Sequence, residues 1–165
     1  MGSMHGARVA LVVAAAAVFV AGSAGCGGDD GPRLSRAEYT KRANAECVTL
    51  GRASNDLQRA QAPGATGSKV SDYLTQAADG LHDLSDGLDG LRPPEAIAAD
   101  ADKLGAALAD YGAGLQSLAD EVAPDDTFQT ALGANQKLVR QLNDIAQRAT
   151  VLVAKLGIDG CQLAA

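Results

Sequence analysis

The chain has 165 residues, with 14 Lys+Arg against 20 Asp+Glu, a formal net charge of −6, only 3% aromatic residues and no tryptophan. An acidic chain lacks the cationic footprint that phosphate neutralisation requires, so nucleic acid is excluded as an expected partner. Ala, Leu and Gly dominate over a length that suits one domain, so the core must be small and aliphatic, as in closely packed helices rather than a β-sandwich.

Met1 to Arg8 carries one basic residue and no acid, and Val9 to Gly22 is an uncharged apolar run. A helix crossing a bilayer needs about 20 apolar residues, so this run is short for a permanent span and reads as the core of a signal peptide. Ala21, Gly22, Ser23, Ala24 and Gly25 then lead into Cys26. Here the chain resembles the bacterial lipobox, with Ala24 and Gly25 before the cysteine and Ser23 where that family has Leu, Val or another aliphatic residue. The resemblance implies cleavage before Cys26 and a diacylglyceryl group on its sulfur, hence a signal peptide over 1–25 and a lipidated cysteine with its tether over 26–34. Ordinary secretion of a soluble product is the alternative. Of three cysteines, lipidation of Cys26 leaves Cys47 and Cys161 as an even pair. Once Arg8 is removed, 13 basic residues face 20 acidic ones. Such a body is repelled by anionic lipid, so the anchor would hold it to the membrane.

Gly27 to Pro32 is a polar, flexible tether, and the helical domain is expected over 35–165. Ser35-Arg36-Ala37-Glu38 has the capping-box pattern that opens a helix. Helix one should turn Ala43, Cys47, Leu50, Ser54 and Leu57 inward, a thin stripe, and stop at Ala62-Pro63-Gly64. Helix two should run from about Ser68 to Leu91, with Leu74, Ala77, Leu81, Leu84, Leu88 and Leu91 at unbroken spacings of three and four. Gly80 and Gly87 lie beside that stripe, and each interior glycine costs about 1 kcal/mol relative to alanine. They are read as allowing a neighbouring backbone to approach.

After Arg92-Pro93-Pro94, whose prolines suit a helix start, helix three carries Ile97, Ala101, Leu104, Leu108, Tyr111, Leu115, Leu118 and Val122. A second stripe of Ala98, Gly105, Gly112 and Ala119 runs alongside. Two neighbouring helices with small stripes predict a tight antiparallel hairpin of helices two and three. Pro124 ends the pattern, and Asp126-Thr127-Phe128-Gln129 offers another capping box. Helix four should continue without interruption to Leu156, roughly 46 Å at 1.5 Å per residue, burying the widest face of the four. Gly157 is its expected C-cap. The expected fold is therefore all-α, an antiparallel up-down-up-down four-helix bundle. In that topology Cys161 folds back toward Cys47, and an exported chain favours a disulfide between them over a free core thiol.

Tyr39 with Ala43-Asn44-Ala45-Glu46-Cys47, the Leu91-Arg92-Pro93-Pro94 junction and Leu156-Gly157-Ile158 before Cys161 resemble small actinobacterial lipoproteins. The resemblance covers most of the chain after Cys26. It implies an exported helical domain with two paired cysteines and brings no activity with it.

Chemistry-bearing clusters are sparse. After Cys26 the single histidine is His82, so neither a His-based triad nor a Cys/His metal set can be assembled, and no catalytic residue or cofactor is expected. Asp72, Asp79 and Asp86 recur every seven residues with Asp83 and Asp89 alongside, read as a solvated acidic face, since a regular helix cannot wrap calcium. The expected function is a non-enzymatic binding or structural module at the outer face of the cytoplasmic membrane, engaging another envelope protein. A carrier holding a lipid or apolar molecule between helices is the alternative.

Overall fold

The computed structural model of the chain describes residues 32–161. The expected signal peptide, Cys26 and nearly all of the tether lie outside the described residues. Within them every regular element is helical and there is no strand. No helix among the described residues is long and apolar enough to cross a membrane.

Six segments form: α1 (Arg36–Glu46), α2 (Val48–Ala60), α3 (Ser68–Asp89), α4 (Glu95–Asp120), α5 (Phe128–Ala134) and α6 (Gln136–Leu156). Their starts follow local chemistry. The Ser35 hydroxyl accepts from the Glu38 amide at 3.2 Å, as a capping serine should. The Glu38 carboxylate turns instead to Arg42, at 2.9 Å, so only half of the capping box closes. At α5 the cap is Thr127, one residue later than expected, while Asp126 accepts from the Ala123 amide and closes the preceding turn. Gly157 ends α6 in the left-handed region, φ 73°, and Ile158 behind it is fully buried.

Two expected helices are each interrupted. Helix one breaks at Cys47, where the Thr49 hydroxyl takes the Glu46 carbonyl (2.8 Å) and the Leu50 amide bonds back to the Cys47 carbonyl three residues earlier. A side chain competing for a backbone carbonyl, together with the tighter turn, ends the regular ladder. After the break the buried stripe is Leu50, Ala53, Asp56 and Ala60, so Ser54 is only half-buried and Ala53 holds the inward position expected of it. Helix four breaks at Asn135, whose side-chain amide donates to the Ala131 carbonyl at 3.1 Å and whose φ is −109°. The uninterrupted part, α6, has 21 residues and measures about 31 Å at 1.5 Å per residue.

The α2–α3, α3–α4 and α4–α6 contacts are antiparallel. Between α3 and α4 the Ser71 hydroxyl donates to the Ala119 carbonyl and Ser85 to that of Gly105, both at 3.0 Å. Midway, a Cβ on Gly112 would lie 3.1 Å from the Ala78 carbonyl oxygen. Ser71, Ala78 and Ser85 thus mesh with Ala119, Gly112 and Gly105, each set spaced by seven. The expected hairpin is therefore present, but the small residues of α3 that face α4 are these three. Gly80 instead faces α2, where its Cβ would meet that of Ala53 at 3.2 Å, and Gly87 faces the Glu46 side chain. The close-backbone reading holds at Gly80 and not at Gly87.

α4 lies between α3 and α6 and buries ten residues, from Ile97 to Ala119; α6 buries Leu142, Ala149, Val153 and Leu156. The widest buried face therefore belongs to α4, because α6 packs chiefly on one neighbour. Gly67, at φ 52°, leaves the space for the Pro124 carbonyl that a Cβ would fill, and its amide donates to Asp126. That contact ties the loop before α3 to the loop after α4. The C-terminal turn binds back on α1: Asn44 accepts from the Gly160 amide at 2.7 Å, and the Arg36 guanidinium donates to the Lys155 carbonyl. Cys47 and Cys161 are brought to disulfide distance, with Cα atoms 5.0 Å apart.

Candidate functional site

The residues singled out for chemistry do not converge. His82 is exposed and lies across Gly112, its ring 3.1 Å from where a Cβ would be, so it covers the α3–α4 contact rather than lining a cleft. Asp72, Asp79, Asp83, Asp86 and Asp89 are exposed along α3. Among the described residues no group of three or more His, Cys, Asp or Glu side chains is placed to hold a metal ion. Among the described residues Asp56 is the one buried carboxylate, at the α2–α3 contact, and Arg59 pairs with it at 2.9 Å.

A cleft of about 850 Å³ lies between α4 and α6. Gly114 lets Leu142 seat against α4, and at the other end Lys155 pairs with Asp100 at 2.7 Å. From α4 come Lys103, Ala106, Ala107 and Asp110; from α6 come Asp144, Arg148, Val151 and Leu152. A second trough of about 470 Å³ continues along the same groove and shares Asp110, Asp144 and Arg148 with the first. The floor is alanine and leucine and the rims are charged. Val151 is 67% exposed, one of two large apolar side chains left so open among the described residues; the other is Val48, at 70%. The residues lining the two troughs include no nucleophile–base pair.

The cleft was legible only in part. Lys137, Arg140, Asp144, Arg148, Val151 and Lys155 succeed one another at spacings of three and four, a stripe opposite the buried one, and a valine among charges marks it. What the sequence lacked was the knowledge that α4 would face that groove with Ala106 and Ala107.

Among the described residues one buried side-chain polar atom has no hydrogen-bond partner. Tyr39 is fully buried in the core and its hydroxyl makes no hydrogen bond. Loss of solvation, and then the carboxylates of Asp102 and Asp89, push the phenol's pKa above its ordinary value. Scans against protein-family models, curated proteins and solved structures find no match for the chain.

Proposed function

We propose that the protein is a non-enzymatic helical binding module of the cell envelope, exported and held at the outer face of the cytoplasmic membrane by a lipid on Cys26. Its helices are read as an up-down-up-down four-helix bundle. The first arm is α1 with α2 and the last is α5 with α6, and the C-terminal turn and the Cys47–Cys161 pair join the two. Support for the bundle comes from the antiparallel α2–α3, α3–α4 and α4–α6 contacts. Support for the anchor comes from the signal-peptide pattern and the small residues before Cys26.

The observation that carries the binding reading is the α4–α6 cleft, apolar between Ala107 and Leu152, charged along its rims and continued by a more polar trough. An apolar strip rimmed by polar groups is the usual form of a protein-docking groove. The partner class is another envelope protein. The carrier reading is the alternative, favoured by one observation: the cleft volume lies within the range of small-molecule sites, about 300–1,000 Å³.

Native mass spectrometry of the protein extracted in detergent from its own membrane, without reductant, tests both readings. A mass equal to the chain from Cys26 plus diacylglycerol and acyl groups is expected, with no further adduct. An unlipidated species refutes the anchor, and a retained small molecule selects the carrier.

A further inference from the structure

We propose that the α4–α6 cleft receives one amphipathic helix of a partner protein, with acidic residues in its first turn and basic residues one to two turns later. This deepens the binding-module reading and rests on it.

The order of charge along the cleft carries the argument. Two contacts set the register of the antiparallel pair: Lys155 with Asp100 at one end, and Leu142 against Gly114 at the other. Counted from them, Arg148 stands opposite positions 107–108 of α4, and Asp144 opposite 111–112. From the Lys155 end the cleft therefore presents Lys103, Arg148, Asp110 and Asp144, two cations and then two carboxylates. All four are exposed, and none forms an ion pair among the described residues. Arg148 lies one turn from Asp144 and pairs with neither Asp144 nor Asp110. The two carboxylates stand on opposite walls within about 3 Å of one level at 1.5 Å per residue, so one basic side chain entering the cleft meets both.

Shape selects a helix. The lining runs from Leu138 to Leu152 on α6, about 21 Å, the length of a helix of about 14 residues. Leu138, Ile145 and Leu152 recur every seven residues and are only partly buried, whereas the alternate set Leu142, Ala149 and Leu156 is buried. That three–four alternation is a seam which a further helix completes. α4 supplies Ala106, Ala107 and Gly114, small enough for a helix axis to come within about 8–10 Å. Both walls are regular helices with their backbone groups already bonded, so an extended strand would leave its own amides and carbonyls without partners there. A uniformly anionic lipid surface would meet Asp110 and Asp144 unpaired.

Charge also fixes the direction. Acidic residues favour the first turn of a helix and basic residues its last. A partner with acids against Lys103 and Arg148 and bases against Asp110 and Asp144 therefore points its N-terminus to the Lys155 end. It runs parallel to α4 and antiparallel to α6, and covers Val151 at that end.

The test uses the full chain in detergent and two dye-labelled synthetic helices of about 14 residues with leucines at three–four spacing. One carries glutamates in its first turn and lysines about two turns later; the other has them exchanged. By fluorescence anisotropy the first is expected to bind at least about tenfold more tightly, and Lys103→Glu/Arg148→Glu/Asp110→Lys/Asp144→Lys is expected to invert the preference. At 1 M salt, where the screening length is about 3 Å, the preference should shrink. All four positions are exposed, so melting should be unaffected. Equal affinities, no binding of either helix, or a preference that the variant does not invert overturns the proposal. Independently, a photo-crosslinking side chain at Val151 in cells should capture a segment of another protein whose acids lie nearest the attachment point and whose bases follow. Capture of a protein segment without that order, or of another copy of this chain, overturns the partner chemistry while leaving the binding module standing. Capture of no protein overturns both.

Discussion

Replacing Gly112 with leucine tests the α3–α4 contact directly. A Cβ at this position would lie 3.1 Å from the Ala78 carbonyl oxygen, a backbone atom that cannot rotate away. The rest of a leucine side chain would force the two helices apart. Separation lengthens the Ser71–Ala119 and Ser85–Gly105 hydrogen bonds on either side, each 3.0 Å and each contributing about 1 kcal/mol. Overpacking adds about 1–3 kcal/mol, and the better helix propensity of leucine returns about 0.8 kcal/mol. The net loss is about 2–4 kcal/mol, a fall in melting temperature of roughly 10 °C for a domain of this size. Gly51→Ala is the control, since a Cβ there meets nothing within 4 Å, and it should stabilise by about 0.5–1 kcal/mol. Thermal and urea unfolding followed by circular dichroism would measure both. An unchanged melting temperature for Gly112→Leu, with the control behaving as stated, would refute the meshed-residue account of this interface.

Tyr39→Phe removes a hydroxyl that is buried without a partner, and should raise stability by about 1 kcal/mol in urea titrations; a loss of that size would mean the hydroxyl has an acceptor after all. Burial raises the pKa of both Tyr39 and Tyr111 above the ordinary 10.0, with Asp102 and Asp89 adding to the effect at Tyr39. Above pH 10 the unfolded chain therefore binds fewer protons than the folded one. Stability is full below that pH and falls as pH rises toward the folded-state values. The double variant Tyr39→Phe/Tyr111→Phe should flatten this alkaline decline, and an unaltered pH profile would refute the assignment. Cys161→Ser opens a link between residues 114 apart in sequence, worth up to about 4–5 kcal/mol in the chain-entropy model. Reductant should lower the wild-type melting temperature toward that of the variant and leave the variant unmoved.

Periodicity made the helices legible because a buried stripe repeats whether or not its neighbour is known. The leucines of α3 and α4 were assigned inward on that ground, and Leu74, Leu81, Leu84, Leu104, Leu108 and Leu118 are each at most 2% exposed. The breaks at Cys47 and Asn135 escaped it, since both depend on single side chains taking a backbone carbonyl without disturbing the apolar spacing on either side. The small residues show a different limit. Gly80 and Gly87 stand out in composition, yet Ser71, Ala78 and Ser85 are the ones that face α4. A serine can fill the same close contact by donating to the carbonyl it approaches, and nothing in its spacing says so. The cleft was hidden for a related reason: alanines such as Ala106 and Ala107 declare neither a buried nor an exposed face.

The link at Cys47 also decides how the fold would bear a mechanical load. The chain enters through Arg33, which donates to the Pro93 carbonyl, and Leu34, whose amide donates to that of Arg92. Tension applied between this entry and the C-terminal end would strip those two bonds and then peel α1 away turn by turn. At Cys47 it would cross directly to Cys161, so residues 48–160 would lie off the force path. Extension would stop after the residues before Cys47 had straightened, about 50 Å at 3.3–3.6 Å per residue. The α4–α6 cleft would remain folded beyond that stop, behind a short extensible leader.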